Sequence, residues 1–104
     1  NPANLTYILT NDSAKHDLCY DLMAQVGRDS IDVLLIDGWH SVNQCLCDWQ
    51  YTKRLSANGV VLLHDVHYHP GPAALLAAID PNQWKSFDAC PDETDYGLAV
   101  IARV

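Results

Sequence analysis

Aspartates and histidines gather at two points of this sequence where an apolar run stops. Ile31-Asp32-Val33-Leu34-Leu35-Ile36 gives way to Asp37-Gly38-Trp39-His40, and Val60-Val61-Leu62-Leu63 gives way to His64-Asp65, with His67 and His69 just beyond. Carboxylate and imidazole are donors for a divalent ion. Carboxylates suit magnesium, and a histidine also admits manganese, iron or zinc. Asp37, His64 and Asp65 are therefore candidate metal ligands. His40 is a candidate general base, because an imidazole that titrates near neutral pH can take a proton from a hydroxyl. Each residue also has a plainer role: Asp37 as a helix cap, His64-Asp65 as a polar strand end, His40 as a packed helix-start residue. His67 and His69 enrich the same region as further ligands, substrate contacts or solvated loop residues, and His16 reads as a surface residue.

These side chains meet only if particular elements position them. Both apolar runs read as strands, and the segment from Ser41 to Leu55 between them reads as a helix. Ser41 with Gln44 forms a capping box, and Val42, Cys45, Leu46 and Trp49 form the buried stripe. Strand, helix, strand is a βαβ unit, whose parallel strands present their carboxyl ends at one rim, where ligands bind in open sheets. The strand at Ile31–Ile36 is apolar on both faces after Asp32, which predicts helices on each side of it. Asn58-Gly59 is expected to break the chain before the strand at 60–63.

Elsewhere, Leu5–Thr10 reads as a strand and Ala14–Val26 as an amphipathic helix started by Asp12 or Ser13 and ended by Gly27. Pro72 fits the first turn of a short helix running to about Ile79. Residues 84–90 and 96–103 read as two strands joined by an acidic loop, an antiparallel hairpin. Trp49 and Trp84 are expected in the core, and Trp39 lines a pocket or covers the sheet end.

Composition narrows the function. The 104 residues are 49% hydrophobic, enough for a core, and carry a formal net charge of −7. Without a basic cluster the chain lacks the footprint of a nucleic-acid partner. No apolar run approaches the roughly 20 residues of a membrane span, and no leader pattern opens the chain. The four cysteines, Cys19, Cys45, Cys47 and Cys90, match no zinc or redox spacing. They read as small hydrophobes of a cytoplasmic protein.

Ile-Asp-Gly-x-His-Ser at 36–41, Asp48 in the following helix, Asn-Gly-Val-Val at 58–61 and Leu-His-Asp at 63–65 together resemble class I S-adenosylmethionine-dependent methyltransferases. The resembled group includes macrocin O-methyltransferase-like and cephalosporin-hydroxylase-like proteins. Asn11-Asp12-Ser13 sits where that family often has Gly-Asp-Ser after a strand. The resemblance implies an α/β fold, a Rossmann-like three-layer sandwich with a mostly parallel sheet and an antiparallel C-terminal hairpin. It implies S-adenosylmethionine as cofactor, held by Asp12, Ser13 and Asp37, and a divalent metal on Asp37, His64 and Asp65. It also implies a small-molecule hydroxyl acceptor. The family's Gly-rich loop is missing, so residues 1–104 correspond to one domain that is the second half of a larger fold. A homo-oligomer or a separate N-terminal half would complete it, and the isolated chain is expected to be inactive. Two rivals stand beside this reading: a metal-dependent hydrolase-like domain using His64, Asp65, His67 and His69, and a noncatalytic remnant acting in assembly.

Overall fold

The first two strands are apolar runs that end in polar residues, one at the edge of the sheet and the other inside it among the described residues. In the computed structural model, which describes residues 27–37, 41–92 and 96–104, these are β1 (Ile31–Ile36) and β2 (Leu55–His64). Between them lie α1 (Val42–Trp49) and a 3-10 turn (Gln50–Arg54); after them come α2 (Pro70–Ala78), β3 (Trp84–Asp88) and β4 (Leu98–Arg103). The strand expected at Leu5–Thr10 and the helix expected at Ala14–Val26 lie outside the described residues.

β1 pairs parallel with β2, whereas β4 runs antiparallel to both β2 and β3, in the order β1-β2-β4-β3. This corrects the expected Rossmann-like three-layer sandwich with a mostly parallel sheet. Among the described residues the sheet is mixed, with one parallel pairing, and there are two helices. The antiparallel pairing of the last two strands does form, but not as an appended hairpin. β4 inserts beside β2, with His64 opposite Leu98 and Val60 opposite Ala102, and so pushes β3 outward. β1 is not covered on both faces either: Val33 and Leu35 are 59% and 58% exposed.

The core lies on the other face. Ile36, Val61, Leu63, Ala99 and Ile101 are buried there, joined by Cys45 of α1 and Leu75 of α2. In-register partners across a ladder point to the same side, and the pairs Ile36–Leu63, Leu63–Ala99 and Val61–Ile101 account for this shared face. Burying one such aliphatic side chain is worth about 1.5–3 kcal/mol. The helices close this face and pack on each other.

Local chemistry explains where the helices start and stop. Ser41 takes the N-cap of α1, its Oγ accepting from the Gln44 amide at 3.1 Å. The buried face of α1 differs from the expected stripe. Gln44, Cys45 and Asp48 go inward, while Val42 and Leu46 stay exposed. Gln44 Nε2 donates to both Asp48 carboxylate oxygens, at 3.1 and 3.2 Å. A polar pair one turn apart that satisfies itself loses the usual penalty for burial. Trp49 and Trp84 pack against the core edge to face, with centroids 5.0 Å apart. α2 begins at Pro70, with prolines in the turn where free amides are not needed.

β2 is longer than its apolar run. It begins at Leu55, and the register between Ile31–Leu55 and Val33–Val60 absorbs Asn58-Gly59 as an irregularity rather than a break. A Cβ on Gly59 would lie 2.7 Å from the Leu55 side chain and 2.8 Å from the Ile31 carbonyl oxygen. Only glycine lets the strands approach this closely.

Candidate metal centre

Since β1, β2 and β3 all run opposite to β4 or parallel to one another, their carboxyl ends share one rim. Asp37 is the first residue beyond β1, His64 is the last of β2 and Asp65 follows it. One ligand atom from each lies within 4.8 Å of the others. Asp37 does not cap the next helix, since Ser41 does.

His64 Nδ1 stands 2.9 Å from Asp65 Oδ1 and 3.1 Å from Asp37 Oδ1. These are hydrogen-bond lengths, yet Nδ1 is shut off from solvent and meets neither oxygen in well-directed hydrogen-bond geometry. Two of the three donor pairs, those made by His64, stand at the spacing of neighbouring ligands around one ion. Ligands in adjacent octahedral positions about 2.1 Å from an ion stand about 3.0 Å apart, and their line is too oblique to the ring nitrogen for a straight hydrogen bond. The residues present therefore fit a divalent cation. The contact with Asp65, then its charge and that of Asp37, raise the His64 pKa above its ordinary value, and burial opposes them in part.

Exposure divides the roles of the two carboxylates. The Asp65 side chain is 10% exposed and that of Asp37 is 49% exposed, so Asp65 forms the floor of the site and Asp37 its open side. Asp65 has a backbone φ of +64°, in the left-handed region that aspartate tolerates better than most residues. Its amide donates to the Gly97 carbonyl at 2.9 Å, and the His67 amide donates to the Tyr96 carbonyl at 2.9 Å. The ladder between β2 and β4 thus continues past the strands and anchors the turn that carries Asp65. Strained backbone held by surrounding contacts is characteristic of working sites.

The other predicted residues fall elsewhere. His67 Nε2 is 2.6 Å from Asp88 Oδ2 at the end of β3, and this contact, more than its other influences, holds the Asp88 carboxyl below its usual range. His69 stacks on Tyr96 at an interplanar angle of 13°. Neither histidine joins the ligand group, so the four-residue set 64, 65, 67 and 69 does not assemble as a single cluster. Asp12, Ser13, His16, Cys19, Trp39 and His40 lie outside the described residues. Cys45 is buried, with its thiol pKa pushed up by burial and by Asp48, and Cys47 and Cys90 are half-buried and free.

Sequence reasoning missed Asp88 and Tyr96. Asp88 sits at a strand end like Asp37 and His64, and that position was the available signal. The direction of β3, needed to put it on this rim, depends on the insertion of β4. Comparison of the chain with protein-family models, with curated proteins and with solved structures gives no match.

Proposed function

We propose that this rim is the metal side of an S-adenosylmethionine-dependent O-methyltransferase acting on a small-molecule hydroxyl. The observation that carries the reading is the spacing of Asp37, His64 and Asp65, with ligand atoms within 4.8 Å at the ends of adjacent parallel strands. A divalent ion bound there, magnesium first and manganese, iron or zinc by virtue of the histidine, supplies a Lewis acid that orients and acidifies the acceptor hydroxyl. The chain's own part is positional. Asp65 fixes the floor, His64 adds a nitrogen donor, and the exposed Asp37 leaves the acceptor a side to enter. His40 is the proposed proton acceptor. Asp12, Ser13 and Asp37 are the proposed cofactor contacts. The free cysteines fit a reducing, cytoplasmic setting. Among the described residues no helix is long and apolar enough to cross a membrane.

The test is a titration of the chain with manganese, followed by electron paramagnetic resonance and calorimetry, in wild type, Asp37→Asn and Asp65→Asn. Each substitution removes a charged donor and should weaken binding by at least about tenfold, the smallest loss that even outer-shell changes produce around metals. Circular dichroism checks that each variant is folded. Equal affinity in wild type and folded Asp65→Asn would remove these residues from a metal site and the reading with them.

A further inference from the structure

The two described helices cover one face of the sheet and leave the other. Register places Leu35, Leu62, Val100 and Phe87 side by side across all four strands, with Val33, Val60, Ala102 and Lys85 in the next row. Both rows alternate with the buried Ile36, Leu63 and Ala99, so they lie on the side away from α1 and α2. The outer strands are barest: Val33, Leu35 and Phe87 are 59%, 58% and 64% exposed. A sheet face that meets water carries polar residues in alternation with the core. Here every residue of both rows except Lys85 is apolar, and contiguous apolar surface of this kind marks a contact with another surface.

Two charges stand at opposite corners of this face. Lys85 is near the amino-terminal end of β3, the outer strand on one side. Asp37 follows Leu35 by two positions and extends the same face past the carboxyl end of β1, the outer described strand on the other side. Three strand spacings across the face come to about 14 Å, and the four residues from Val33 to Asp37 come to about 13 Å. The face is close to square. Turning a second copy over about the diagonal that avoids both charges lays the face on itself with the strands crossed near 90°, one of the two ways in which sheets stack. That two-fold sets Lys85 of each copy over Asp37 of the other, so the pair forms twice. Near-aligned stacking instead sets Lys85 over the partner's Val33 or Ala89, which leaves a covered charge unpaired.

We propose that the open sheet face is the contact of a two-fold dimer of this chain, with strands crossed and Lys85 of each copy paired with Asp37 of the other. The apolar rows supply the buried centre of the contact, and the two charge pairs at its margin fix the crossing angle. The dimer stands apart from the reading of the metal centre and does not depend on it.

The test is analytical ultracentrifugation of the full chain, from about 1 μM to about 1 mM, a range in which even a weak association registers. The buffer holds chelator and physiological salt, which screens the net charge of −7 on each copy beyond about 8 Å. A monomer–dimer equilibrium is expected. Leu35→Glu and Phe87→Glu should each raise the dimer Kd about tenfold or more, because each covers a charge with no partner. Both side chains are exposed in the single chain, so the fold should tolerate the change, and circular dichroism checks this. Lys85→Glu and Asp37→Lys should each weaken the dimer, and the two together should restore it, because the exchanged charges still pair. A chain that stays monomeric throughout the range would overturn the proposal. So would a dimer left intact by both glutamate variants, or a double exchange that binds no better than the single ones. NMR contacts from Leu35 or Phe87 to residues 1–26 of the same molecule would assign the face to the chain's own N-terminal segment and overturn it as well. With chelator present no ion competes with Lys85 for Asp37, so these outcomes are separate from those of the manganese titration.

Discussion

Gly97→Ala tests whether the turn that carries Asp65 is held as tightly as its contacts suggest. Gly97 has a φ of +92°, and a Cβ placed there would lie 2.6 Å from His67 Cδ2, 2.7 Å from His67 Cγ and 2.8 Å from Val66 Cγ2. Holding an L-residue in a left-handed conformation costs roughly 1–2 kcal/mol. Forcing a methyl into an occupied space costs roughly 1–3 kcal/mol more. The lost freedom of the unfolded chain offsets about 0.4–1 kcal/mol of this. The net destabilisation is then roughly 1.5–4 kcal/mol, which for a chain of this size lowers Tm by at least about 6 °C. His67 cannot swing aside cheaply, because its Nε2 is bound to Asp88 at 2.6 Å. Relief must therefore come from the 65–69 turn, which also displaces Asp65 from Asp37 and His64. Thermal unfolding by circular dichroism measures the first effect and manganese affinity the second; both should fall together. A Tm within about 2 °C of wild type, corresponding to at most about 0.5 kcal/mol, would refute the reasoning about both the close approach and the anchoring.

Three further outcomes are expected. Without metal, His64 stabilises the fold through a raised pKa: the contribution is fully present below its ordinary value of 6.5 and is lost as pH rises through the raised folded value. Denaturation of wild type and His64→Asn across that range should therefore differ in pH dependence, and parallel profiles would remove the coupling to Asp65. Ile101→Ala empties a site with 0% exposure and should cost about 2–5 kcal/mol in urea unfolding, whereas Val104→Ala, 75% exposed, should cost almost nothing. Calorimetric titration of S-adenosylmethionine into the chain should show weak binding or none, since the described residues offer no glycine-rich strand-to-helix turn for its polar end; micromolar binding would require a cofactor site elsewhere in the chain.

What the sequence determined by itself was local. The apolar runs ending at Ile36 and Leu63 marked β1 and β2, because strand preference is carried by consecutive β-branched and aliphatic residues. Their polar ends marked Asp37, His64 and Asp65, and the spacing of Ser41 and Gln44 marked the helix start, because a cap is made by neighbours in the chain. The βαβ order was enough to bring the three candidate ligands to one rim. What depended on distant partners was decided only by the tertiary structure. No local pattern reports that His64 faces Leu98 rather than open solvent, and that pairing set β4 between β2 and β3 and made the sheet mixed. The same holds for Asn58-Gly59, which β2 passes as an irregularity in its pairing with β1, between Ile31–Leu55 and Val33–Val60, and which alone reads as a turn. The inward face of α1 was set by the Gln44–Asp48 pair, whose mutual satisfaction a count of apolar residues does not register. The partners of His67 and His69 came from β3 and from just before β4, 21 and 27 positions along the chain. Side chains that far apart meet only after the backbone ladders between their strands have fixed the register.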